Sequence, residues 1–146
     1  MYWIPDWHDI PGINIMKTVL IIDDEKDLCR LLTIALKREK FGVDCAYSLA
    51  EARSKLLEHP SIVLLDNNLP DGSGLDFFKE HLDAFHKSCV IMISADVKPE
   101  TKKDALREGI SIFLQKPFEV GAIKDAIRSI PERLPDPNHS FSRLSL

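Results

Sequence analysis

Val19-Leu20-Ile21-Ile22-Asp23-Asp24-Glu25 and Ile62-Val63-Leu64-Leu65-Asp66 share one design: four consecutive apolar residues that run straight into carboxylates. Two further stretches repeat the design with other polar endings, Val90-Ile91-Met92-Ile93-Ser94 and Ile112-Phe113-Leu114-Gln115-Lys116-Pro117. Short continuous runs rich in Val and Ile read as strands buried on both faces, as in a parallel sheet. In an open parallel sheet the carboxyl ends of the strands point the same way, and ligands bind in the crevice beyond them. The pattern therefore predicts that three carboxylates, one hydroxyl and one ammonium meet at a single edge.

Working outward, the segments between these runs carry helical signals. Leu28, Leu31, Leu32, Ala35 and Leu36 recur at helical spacing until Phe41-Gly42 breaks the pattern, and Val43–Ala46 reads as a shorter, weaker strand. Ser48 followed by Glu51 is a capping box that opens a helix with Ala52, Leu56 and Leu57 inward, closed by His59-Pro60. The loop Leu69-Pro70-Asp71-Gly72-Ser73-Gly74 precedes a helix with Leu75, Phe78 and Leu82. Lys98-Pro99 starts the next helix and Gly109 ends it, and Val120, Ile123, Ile127 and Ile130 mark a last one that stops at Pro131. Five βα repeats imply parallel strands joined by right-handed crossovers, with helices on both faces. The expected fold is an α/β, doubly wound, five-stranded parallel sheet of order 2-1-3-4-5.

Residues 17–130 form that body. Residues 1–16 read as an N-terminal extension holding both tryptophans, Trp3 and Trp7, and residues 131–146 as a polar C-terminal tail. The 146 residues, 45% hydrophobic and 29% charged, suit one globular domain with a real core. A net charge of −4 argues against direct nucleic-acid binding, which rests on phosphate neutralisation by Lys and Arg. No apolar run is long enough to cross a bilayer, and the first fifteen residues lack the pattern of a secretory signal. Cys29, Cys45 and Cys89 have no metal-ligand spacing, and scattered cysteines of this kind suit small apolar fillers in a reducing cytoplasm.

Three converging carboxylates repel each other, so Asp23, Asp24 and Asp66 must take up protons or a cation. An all-oxygen ligand set favours a hard ion such as Mg²⁺. A carboxylate beside such an ion can attack phosphorus and become an aspartyl phosphate, with Lys116 as a point charge and Ser94 as a hydrogen-bond donor. Each residue alone has a plainer reading: an Asp after a strand is often a helix cap, a Ser a turn residue, a Lys a solvated charge and a Phe core. Independent caps need not fall on four central strand ends in this combination.

Ile21-Ile22-Asp23-Asp24-Glu25, the run from Leu64-Leu65-Asp66-Asn67-Asn68 to Gly74, Ile93-Ser94-Ala95 and Gln115-Lys116-Pro117-Phe118 together resemble the receiver domain of two-component response regulators. The resemblance implies a chemotaxis-regulator-like, flavodoxin-like fold and a role for each residue. Asp66 would be the phosphoacceptor, served by a sensor histidine kinase or a phosphotransfer protein. Asp24 would bind Mg²⁺ directly and Asp23 through water, with Asp66 and the backbone carbonyl of Asn68 completing the metal set. Lys116 would contact the phosphoryl group, and Ser94 would move toward it and let Phe113, the switch aromatic, turn inward. The peptide bond between Lys116 and Pro117 falls where the family carries a cis bond.

The same resemblance implies a phosphoacceptor that assists its own phosphorylation and dephosphorylation, not an enzyme acting on a separate substrate. It implies cytoplasmic signalling to a downstream output protein or domain through the fourth helix, fifth strand and fifth helix, and leaves room for a homodimer there. Asn68 and Asp96 occupy positions that vary among receivers and set how long the phosphoryl group lasts; both are polar, which predicts rapid self-dephosphorylation. Glu25 and the five histidines read as surface residues. Alternatives are a phosphorylation-independent interaction scaffold, a receiver cut from a DNA-binding regulator or hybrid kinase, and an aspartyl-phosphate hydrolase. The hydrolase needs a second acid two residues past the nucleophile, where this chain has Asn68.

Overall fold

The structure is a computed structural model that describes residues 17–96 and 98–130. Five parallel strands form the sheet: β1 (Thr18–Ile22), β2 (Gly42–Ala46), β3 (Ile62–Asp66), β4 (Cys89–Ser94) and β5 (Ile112–Gln115). Their spatial order is β2-β1-β3-β4-β5, the order expected. Between them run α1 (Lys26–Arg38), α2 (Leu49–Leu56), α3 (Gly74–Glu80) and α4 (Pro99–Glu108), with α5 (Val120–Ser129) after the last strand. A two-residue hairpin pairs Asn68–Leu69 with Gly72–Ser73 beyond β3, and one extra turn of helix spans Leu82–Phe85. The proposed extension and tail lie outside the described residues.

Because successive strand residues point to opposite faces, an apolar run feeds two cores at once. Val19, Ile21, Leu64, Ile91 and Ile93 join Leu32, Leu36, Ile123 and Ile127 on the side of α1 and α5. Leu20, Ile22, Val63, Leu65 and Met92 join Ala52, Leu56, Phe77, Phe78 and Phe85 on the other. This double duty explains why the four residues before each polar ending of β1, β3 and β4 are all apolar.

Three inward assignments from the sequence are corrected. Leu57 is 75% exposed because α2 ends at Leu56 and Leu57 is its C-cap, past the last inward turn. Leu31 also faces outward, on the rim of the α1 stripe. The helix expected to carry Leu82 inward breaks at His81, whose ring stacks on Phe77 and whose Nδ1 lies 2.8 Å from the Phe77 carbonyl oxygen. The break turns Leu82 outward and lets Phe85 fill the core instead. His81 is accordingly half-buried, whereas His59 and His86 are on the surface as read.

The caps are partly as expected. Ser48 Oγ accepts from the Glu51 backbone N–H at 3.2 Å, but the Glu51 carboxylate reaches the Tyr47 N–H and not that of Ser48. Gly109 ends α4 in the left-handed region (φ 112°), as its position after the helix requires.

Candidate functional site

Register brings the polar strand ends together. Asp66 at the end of β3 lies beside Ile93 of β4, and Ser94 pairs with Gln115 of β5, so Lys116 emerges one residue later at the same edge. The Lys116 N–H donates to the Ser94 carbonyl at 2.8 Å, and the Lys116–Pro117 bond is cis. On the other side, the Asp23 N–H donates to the Ala46 carbonyl at 3.0 Å, holding the acidic pair against the end of β2.

Lys116 is the hub of the charges. Its Nζ lies 2.7 Å from Asp23 Oδ2, 2.8 Å from Glu25 Oε1 and 3.2 Å from Asp66 Oδ2. Asp23 is fully buried and also accepts the Glu25 N–H on Oδ1 at 2.9 Å. Asp66 accepts the Asn68 N–H on Oδ1 at 3.1 Å. Asp23, Asp24 and Asp66 each offer a carboxylate oxygen within 4.8 Å of the others, with Asp24 on the open side. That donor set, hard, anionic and partly solvent-facing, is of the kind that holds a divalent cation with some of its waters.

Burial dominates the proton affinities. It pushes the Asp66 carboxyl up to about 6, against a smaller lowering by the Asn68 N–H; neighbouring Asp23 raises it further and Lys116 lowers it. Burial likewise raises Asp23, with the Lys116 hydrogen bond pulling the other way. Burial alone would lower the Lys116 ammonium, but its bonds to Asp23 and Glu25 together hold it above its ordinary value. Lys116 is therefore held in its charged form, and the Asp66 carboxyl keeps its proton to a higher pH than an ordinary aspartate.

Ser94 is fully buried, and its hydroxyl is engaged locally: Oγ donates to the Asp96 carbonyl at 3.1 Å and accepts the Asp96 N–H at 3.3 Å. The Asn68 side-chain amide reaches the same oxygen at 3.5 Å. Phe113 sits half-buried against the α2–α3–α4 side of the core.

Four contributors were missed or undervalued in the sequence. Glu25, read as a surface charge, is a partner of Lys116. Asn67 ties the loop after the acid: its Oδ1 accepts from Ser73 Oγ (3.1 Å) and the Leu75 N–H (3.0 Å), and its carbonyl accepts the Gly74 N–H (2.9 Å). Asp71 reaches across to cap α2, accepting the Leu49 N–H at 2.9 Å and the Ala50 N–H at 3.0 Å. Gly74 must be glycine because a Cβ there would lie 2.2 Å from the Asp66 carbonyl oxygen. The Gly-Ser-Gly spacing marked a turn, but nothing in it named the close approach.

The profile of the response regulator receiver domain matches residues 19–128, the whole region that builds this edge. The chain belongs to the response regulator receiver family. Among curated relatives, this receiver is 38% identical over 109 residues to the response regulator protein PilR of Pseudomonas aeruginosa, covering 74% of this chain and 24% of PilR. It is 33% identical over 140 residues to the KDP operon transcriptional regulatory protein KdpE of Escherichia coli, covering 90% of this chain and 60% of KdpE. The chain thus spans between a quarter and three fifths of these relatives' lengths. Among solved structures, a two-component response regulator from Clostridium difficile superposes with a TM-score of 0.76 at 24% identity, over 83% of this chain and all of that one. A Burkholderia pseudomallei response regulator, solved with a phosphorylated aspartic acid, a calcium ion and citrate, gives 0.71 at 23% identity, over 88% and 72%. At these identities the structural likeness concerns the fold. No helix among the described residues is long and apolar enough to cross a membrane.

Proposed function

We propose that this receiver accepts a phosphoryl group on Asp66, from a sensor histidine kinase or a phosphotransfer protein, and passes the signal to an output protein or domain. The observation that carries the reading is the convergence of Asp66, Lys116 and the acidic pair at one edge, with Asp66 Oδ2 3.2 Å from Lys116 Nζ. Asp23, Asp24 and Asp66, with the backbone of Asn68, would hold Mg²⁺, which when bound offsets charge on phosphoryl oxygens. The residues divide the remaining work. Asp66 supplies the nucleophilic oxygen, and Lys116, kept charged by Asp23 and Glu25, supplies a fixed positive charge beside it.

In this reading Ser94 exchanges its bonds to Asp96 for one to the phosphoryl group, and Phe113 fills the space it leaves. Phosphorylation then shifts a pre-existing equilibrium at the surface of α4, β5 and α5. The Asn68 side-chain amide lies beside the Ser94 hydroxyl and the Asp96 side chain is exposed two residues on, two polar groups that favour a short-lived phosphoryl group.

The test is the intact mass of the chain after incubation with a small acyl phosphate, with and without Mg²⁺, for the wild type and Asp66→Asn. A gain of one phosphoryl group that needs Mg²⁺ and disappears in Asp66→Asn is expected. Absence of any gain, under conditions that label another receiver, would leave the phosphorylation-independent scaffold as the better reading.

A further inference from the structure

Cys29 and Cys45 are far apart in sequence but share one pocket between α1 and β2. Cys29, in the first turn of α1, is buried and lies with its Sγ 3.3 Å from the Asp23 carbonyl oxygen. Cys45 pairs with Ile21 in the sheet, packs on the same apolar cluster as Cys29 and is only half-buried. Thr33, one turn beyond Cys29, bridges the two: its Oγ1 donates to the Cys29 carbonyl at 2.6 Å and lies 3.5 Å from Cys45 Sγ. Both thiols are free, and each is the largest single influence on the other's proton affinity.

We infer that Cys29 and Cys45 form a redox site, in which a hydroperoxide converts the neighbouring thiols to a reversible intramolecular disulfide linking α1 to β2. The half-buried Cys45 is the group an oxidant can reach, and buried Cys29 is positioned to resolve the product. The neighbouring Cys29 lowers the proton affinity of the Cys45 thiol, and the thiolate is the form that attacks.

The electron count closes. The Cys45 sulfur attacks one peroxide oxygen, an S–O bond forms as the O–O bond breaks, and the departing hydroxide leaves as water after protonation. Cys29 sulfur then attacks the Cys45 sulfur, an S–S bond forms as the S–O bond breaks, and the second hydroxide takes the Cys29 proton. Two thiols have lost two electrons and one hydrogen peroxide has become two waters.

Neither sulfur is used by the phosphoacceptor chemistry, so this site stands apart from the reading above. Cys89, a free cysteine on β4, is the internal control.

The experiment treats the reduced full-length chain with hydrogen peroxide, alkylates the remaining thiols, and maps non-reduced tryptic peptides by mass. The expected product joins peptide 27–30 to peptide 41–53, leaves Cys89 alkylated, and reverts to three alkylated cysteines with dithiothreitol. Cys45→Ser, at a half-buried position, should abolish the link, while Cys89→Ser should leave it intact. Recovery of Cys45 as a sulfinic acid with Cys29 still alkylated would overturn the proposal, as would persistence of three free thiols. Links that run mainly through Cys89 would also overturn it.

Discussion

The acidic side of the sheet and its far edge are built to different tolerances. In β1, β3 and β4 nearly every residue is buried, and the acids extend directly from β1 and β3 as Ser94 does from β4. In β5 no residue is fully buried, and α4 contributes only Ala105 to the interior. The first arrangement holds charges at fixed separations; the second leaves an element that can shift without emptying a core. The function proposed above, with chemistry at one place and a change of shape at another, would draw on both, and the difference lies in how many apolar faces each strand commits.

Stability measurements can break or sharpen that contrast. The largest effect is expected at Leu64, fully buried on β3: Leu64→Ala should cost about 3 kcal/mol by chemical denaturation. A loss below about 1 kcal/mol would mean that the acidic side is less tightly built than its burial indicates.

Next is Asp66→Asn in buffer free of divalent cations, which should stabilise the fold. A carboxyl whose pKa is raised by folding binds its proton more tightly in the folded state. Its cost is absent below the ordinary value of 3.8, grows as pH rises toward about 6, and is complete above that. The substitution should therefore gain on the order of 2 kcal/mol at pH 7 and nothing at pH 3. An equal gain at both pH values would show that desolvation of the charge is not its source.

The smallest change is expected from Leu106→Ala on α4, whose side chain is 45% exposed: under about 0.5 kcal/mol. A loss as large as that at Leu64 would put α4 on the rigid side of the comparison.

The strand ends were legible because an apolar run of fixed length leaves little choice about where its polar terminus falls. The sheet order followed from the βα repeat, and Asp23, Asp24, Asp66, Ser94 and Lys116 all stand at the predicted edge. What stayed hidden depended on partners distant in sequence or on the shape of a turn. Asp71 is an ordinary loop residue until it is seen capping α2, and Glu25 an ordinary surface acid until Lys116 reaches it. Leu57 and Leu82 were misplaced because helical spacing says which side of a helix a residue occupies only while the helix continues.

The ties made by Asn67 and Asp71 bear on where foreign sequence can be spliced in. Residues 67–74 are fastened at both ends and in the middle, so one added residue would detach Asn67 from Leu75 or Asp71 from α2. Anyone inserting a peptide tag or a fluorescent reporter should avoid that stretch. The turn at 57–59, where Leu57 is exposed and His59 already has a positive φ of 52°, offers a more forgiving junction.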